Sequence, residues 1–322
     1  MTGKRGFEEQ IAALETLRNE SSETRLNALR GALKHRNNFL VAKAVDLVRD
    51  FRVSGLIEDL LAAFDRFFED AVKRDPQCWA KNAISRALAV MEYQEPEVFL
   101  RGMRHIQMEP VWGGRSDTAG TLRATCALAL VQCRGLSGSD LLGHLIDLLA
   151  DRDKSVRTET VRAIEQVGSP SAVLLLRLRA RLGHEEPEVL GTCFGAILRI
   201  EGARAIGWVQ GFLSAADDAA GEAALAIAET RSAEGFEVLR RCLEGAKDPW
   251  FRSVLLSGIA LTRQDTAINY LMGLVKRGTI DAEVAIEAVV RAMPADDILR
   301  RLEAAVAGNL RLERALAAQR KG

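Results

Sequence analysis

The side chains able to do chemistry are few in this sequence and widely spaced. Five cysteines and four histidines stand among 322 residues. Cys126 and Cys133 lie seven positions apart, about 10 Å along a helix, beyond disulfide reach. The sequence holds no Cys-x-x-Cys pair and no Cys/His spacing of a zinc site. Cys78 and Cys193 fall at apolar helical positions and read as buried structural thiols. Of His35, His105, His144 and His184, only the last forms a His-Glu dipeptide, with Glu185. No metal and no cofactor is expected.

The segment from His105 to Thr118 is richer. It carries Glu109, Trp112, two glycines, Arg115 and Asp117. A Trp beside Gly-Gly can present a stacking surface, and Arg115 can meet a carboxylate or phosphate. The plainer outcome is that Trp112 tucks under the loop over adjacent core while Asp117 caps the next helix. The Gly-Gly pair is no nucleotide fingerprint, because no strand is read before it.

The elements that must position these groups read as helices throughout. Leu, Ala, Arg and Glu dominate, and these are good helix formers. Alternating strand patterns are absent. Pro76, Pro96, Pro170, Pro187 and Pro249 each follow an acid or serine and open an amphipathic stretch, where a missing N–H costs nothing. Pro110 and Pro294 fall in breaks between helices. Gly135, Gly168, Gly183 and Gly245 close apolar runs.

The stretches repeat. Segments starting at Asp153, Glu186, Asp217 and Asp248 align without gaps, with anchors at Val156, Val189, Ala220 and Phe251, and a fifth at Val284. Upstream, the same register puts anchors at Leu40, Cys78 and Gly120. Small or aliphatic residues recur four and eight positions beyond most anchors. Asn82 and Arg86 are misfits, so the second unit is out of register or locally exposed. One helix pair cannot bury its apolar stripe alone, whereas about eight stacked pairs share a continuous core.

Asp153-Lys-Ser-Val156-Arg157 and Asp248-Pro249-Trp-Phe251-Arg252 carry a resemblance. An acid, then Val-Arg or Phe-Arg, then small and aliphatic residues is similar to the HEAT repeat, in its short bacterial form also called phycobilisome-lyase-like. The resemblance covers about residues 20–293. It implies an all-α, right-handed α-α superhelix, a solenoid of the HEAT/armadillo kind. The chain would be one elongated domain, with an N-terminal cap (1–34), repeats (35–293) and a C-terminal cap (294–322) whose basic end suits the helix dipole. In that family the Asp and Arg form a polar ladder between repeats, so Asp153, Arg157, Asp248 and Arg252 would be structural. Leu190 and Gly221 replace the Arg in two units, which would interrupt the ladder. One His-Glu dipeptide cannot supply the di-iron site of HEAT-type deoxyhypusine hydroxylases.

Charge narrows the function. Lys and Arg number 44 and Asp and Glu 44, for a net charge of zero. This argues against a surface given over to nucleic acid. Three residues past the upstream anchors stand Lys43, Lys81 and Arg123, which would line up about 10 Å apart on the second helices. They form either a short basic stripe for an acidic peptide or phosphate backbone, or three solvated cations. Arg177, Arg179 and Arg181 read as a solvated face. No apolar run is long enough for a membrane span and no signal peptide is evident, so a cytoplasmic protein is expected. The leading expectation is a non-catalytic scaffold that binds a protein or peptide, with Trp112, Arg115, Asp117, Lys43, Lys81 and Arg123 as candidate contacts. The alternative is a nucleic-acid-binding protein or an enzyme resembling the HEAT-like alkylpurine DNA glycosylases, with Trp79, Trp112 and Asp117 near the cations. A bilin lyase is implied only by the repeat subtype.

Overall fold

A computed structural model describes residues 2–292 and 295–319, with side chains from Phe7 onward. Pro294 and the basic end at Arg320 and Lys321 lie outside the described residues. Contacts divide the chain into two compact units, residues 1–167 and 168–322. The first holds α1 (Thr2–Thr16), α2 (Ser22–Leu33), α3 (Asn38–Asp50), α4 (Ile57–Arg66), α5 (Ala71–Arg74), α6 (Trp79–Val90) and α7 (Glu97–Met103). After a hairpin of β1 (Met108–Val111) and β2 (Gly114–Asp117) come α8 (Gly120–Leu130), α9 (Gly138–Leu145) and α10 (Lys154–Val167). The second holds α11 (Pro170–Arg181), α12 (Pro187–Glu201), α13 (Ile206–Gln210), α14 (Asp218–Glu229), α15 (Ala233–Gly245), α16 (Pro249–Leu261), α17 (Asp265–Lys276), α18 (Ala282–Ala292), α19 (Asp296–Val306) and α20 (Leu310–Gln319). No described helix is long and apolar enough to cross a membrane.

Within each unit the helices form two layers. In the first unit the second helices stack in the order α3, α6, α8, α10, and α2, α4, α7 and α9 each pack on the second helix that follows. In the second unit α12, α14, α16, α18 and α20 stack likewise, each paired with the preceding helix. The α19–α20 pair stands where a terminal cap was expected. Helix starts follow the local chemistry. Pro170, Pro187 and Pro249 open α11, α12 and α16. The Ser169 hydroxyl accepts from the Ala172 amide, and the Asp248 carboxylate accepts from that of Phe251 at 2.8 Å. Gly168 and Gly183 take the positive φ that a stop between helices needs.

The core rows correct the upstream register. In α6 and α8 they start at Ala80 and Leu122, two residues later than Cys78 and Gly120. They continue through Ile84 and Leu88, and through Cys126 and Leu130, all fully buried. The two misfits then make sense. Asn82 flanks the row and accepts from the Thr125 hydroxyl at 2.8 Å, and Arg86 faces solvent. The turn before α6 caused the slip in that helix. Gln77 and Cys78 both adopt left-handed φ, at 61° and 53°, and shift the phase of the helix behind them.

Candidate partner-binding site

Residues 105–118 are a β-hairpin, not a structureless loop. Met108 pairs with Asp117, Glu109 with Ser116, Pro110 with Arg115 and Val111 with Gly114. Trp112 and Gly113 make the turn, and Gly113 supplies φ +85°, a value other residues reach only with strain. The strands escape a sequence reading because they are short and contain Pro and Gly, both depleted in strands. Their pairing rests instead on side chains beneath them.

Those side chains form a buried polar base. Lys81 is fully buried, and its ammonium has three acceptors for its three N–H bonds: Asp75 Oδ2, Phe67 O and Gln107 Oε1, each at 3.1 Å. Asp75, also fully buried, accepts from Asn38 Nδ2 and the Ala80 amide at 2.9 Å and from the Lys81 amide at 3.1 Å. Gln107 carries the network into the hairpin, donating to Asp75 O at 2.8 Å and Glu109 Oε1 at 2.6 Å. Glu109 Oε1 also accepts from the Thr118 hydroxyl and the Gln77 amide, both at 2.6 Å. Burial pushes the Glu109 carboxyl up, but the bonds from Thr118, Gln107 and Gln77 outweigh it and hold the group below its ordinary value. Two successive left-handed residues at Gln77 and Cys78 cost about 1–3 kcal/mol each. The Glu109 bond is one of those that hold that turn in place.

The second strand is fastened separately. Asp117 Oδ1 accepts from the Gln107 and Ala119 amides, and Oδ2 from Arg123 Nη1 at 2.6 Å. Arg123 also donates to His105 O and makes a two-pronged pair with Asp151 at 2.8 and 3.0 Å. Burial raises the Asp117 carboxyl, yet these donors lower it overall. Burial is likewise the largest effect on His105 and holds its imidazole below the ordinary value.

The expected basic stripe is therefore corrected. Lys43 is exposed, 5.6 Å from the Phe39 ring centroid. Lys81 and Arg123 are buried and fully paired, because both point from the first turn of a second helix toward carbonyls of the preceding segment. Arg157 and Arg252 do the same. Arg157 donates to Asp151 O at 2.6 Å, and Arg252 donates to Leu243 O and Ala246 O and pairs with Asp281. A cation there meets the negative end of the preceding helix. Asp153 and Asp248 cap their own helices, by accepting from the Ser155 and Phe251 amides. Leu190 is buried where an Arg was missing, and the Trp250 ring lies over Gly221. On the second-helix layer, Arg86 stands at an open cleft of about 570 Å³ with Val90, Thr125 and Leu128. The arginines of α11 are not simply solvated either. Arg177 pairs with Glu201 at 2.5 Å, Arg179 with Glu185, and Arg181 lies 4.6 Å from the Phe212 ring centroid.

Above this base the tip is bare: Trp112 is 102% exposed and Val111 48%. The tucked position expected for Trp112 is not taken. Arg115 is exposed at the tip as well, and donates to Met108 O across the hairpin. Among the described residues no nucleophile–base pair accompanies them. Cys78 faces Gln107, and burial pushes its thiol up to about 12. The same cause takes Cys126 and Cys193 to about 12. Among the described residues no group of three or more His, Cys, Asp or Glu could hold a metal ion. Gln107, Asn38 and Asp151 had no assigned role in the sequence, and Asp75 was read only as the acid in front of Pro76. The visible signal was Asp75 in front of Pro76, six residues before a lysine of the core helix.

No protein-family model matches the chain, and none of the curated proteins does.

Proposed function

We propose that the protein is a non-catalytic scaffold that holds another protein, with Trp112 as the anchor of its grip. It is read as a right-handed, HEAT-like solenoid of the cytoplasm. The supporting observation is the contrast between base and tip of one hairpin. A dense buried network and a strained turn support the base, while the tip offers a fully exposed indole beside Val111 and Arg115. Binding energy concentrates on Trp and Arg side chains, and a backbone already fixed beneath them loses little freedom on docking. The nucleic-acid reading draws less support. Lys81 and Arg123 are withdrawn from any phosphate, and the Asp117 carboxylate is spent on Arg123 and two amides.

The test replaces Val111, exposed beside Trp112, with a photo-crosslinking phenylalanine in the native host, with exposed Arg134 replaced as control. The reading expects one protein joined at position 111 and absent at 134. Crosslinks that are equal at both positions, or absent from both, would overturn it.

A further inference from the structure

Helix α11 breaks the pattern of its layer. Ala172, Val173, Leu176 and Ala180 form its buried face. On the opposite face Leu174, Leu178 and Leu182 are 66%, 56% and 61% exposed. Spaced four apart, they make one straight ridge about 12 Å long. Other helices of the same layer turn polar residues outward: Glu237 and Arg241 on α15, Asp265, Asn269 and Lys276 on α17. An exposed ridge of large aliphatics marks an interaction surface.

The charge beside the ridge says what covers it. Every charged residue of α11 is an arginine: Arg177, Arg179 and Arg181. Arg177 and Arg179 have acidic partners, Glu201 and Glu185. Arg181 is exposed, stacked on Trp208 and Phe212 at 5.3 and 4.6 Å, with no acidic partner among the described residues. A second copy of α11 would bring no carboxylate of its own to Arg181, since the helix carries none. A different helix with an acidic edge would complement it. We infer that the Leu174–Leu178–Leu182 ridge docks an amphipathic helix of a partner protein, leucine-rich on its contact face and acidic on the flank that meets Arg181. This is helix-on-helix recognition through anchors at helical spacing. It is independent of the Trp112 hairpin.

The probe is a synthetic, fluorescently labelled 16-residue helix with leucines at i, i+4 and i+7 and glutamates along one flank. A second peptide carries lysines in place of the glutamates. Binding is read by anisotropy on the full chain, and self-association by sedimentation. The acidic peptide should bind, with affinity falling at least tenfold for the lysine peptide, for Leu178→Gln and for Arg181→Glu. Trp112→Ala should leave it unchanged. Leu178→Gln faces solvent, so the melting temperature should not drop. Equal binding of both peptides, binding of neither, or a dimer that Leu178→Gln dissolves would overturn the inference.

Discussion

Lys81 and Lys43 occupy equivalent places in the sequence pattern and opposite places in the protein. Lys81 ends among Asp75, Phe67 O and Gln107, whereas Lys43 lies in solvent beside Phe39. Removing one member of a buried ion pair strands the other, at about 3–5 kcal/mol. Lys81→Met should therefore lower unfolding stability by about that amount, while Lys43→Met stays within about 0.5 kcal/mol. Urea titration of both variants decides it. Acid acts on the same base. Glu109 and Asp117 sit below their ordinary values of 4.5 and 3.8, so their contribution is complete well above those values. It falls as the pH drops through them, because the unfolded chain then takes up protons first. His105, lowered from 6.5 by burial, adds a loss in the same direction below that pH. The urea midpoint should be flat near neutrality, decline below about 6.5 and decline again below about 4.5. Glu109→Gln should weaken the acid decline and lower the plateau. A midpoint independent of pH from 7 to 3 would contradict the protonation account.

The elements were legible unevenly. The helices, the proline starts of α11, α12 and α16 and the rows in α10, α12, α14 and α16 could be read because small and aliphatic residues recur there without a break in phase, whereas Pro76 opens only a short turn before α6. The slip in α6 came from Gln77 and Cys78, whose left-handed backbone has no signature in residue type, and α8 begins behind the hairpin. The hairpin was hidden for a related reason: its strands are held by Gln107, Glu109 and Asp117 from below, and not by strand-forming residues. Close helix approach can be tested directly. A methyl group on Gly102 of α7 would fall on Cys126 Sγ of α8. Gly102→Ala should cost about 1–3 kcal/mol as overpacking. Cys126→Ala in the same chain should restore part of it, whereas the two losses simply adding would mean that the helices do not meet there.

At the scale of the whole molecule, a net charge of zero conceals where the charge goes. Lys81, Arg123, Arg157 and Arg252 are spent on carbonyls and acids between successive helices. Such positions look like a surface stripe in sequence, since a cation in the first turn of a helix carries no mark of whether it turns outward or back. With two of its three members withdrawn, the stripe should not hold nucleic acid. A labelled DNA duplex should fail to bind even at about 20 mM salt, where phosphate contacts are strongest. Tight, salt-sensitive binding would restore the alternative. Among the exposed apolar side chains are Trp112 at the tip and the three leucines of the ridge on α11.

The most direct test of the hairpin as a grip is quantitative co-purification from the native host, comparing the wild-type chain with Trp112→Ala. Trp112 touches no core, so both proteins should melt at the same temperature and show the same helical circular dichroism. The account predicts one or more proteins enriched on the wild type and reduced at least tenfold on the variant. Partners retained in full by Trp112→Ala would contradict it.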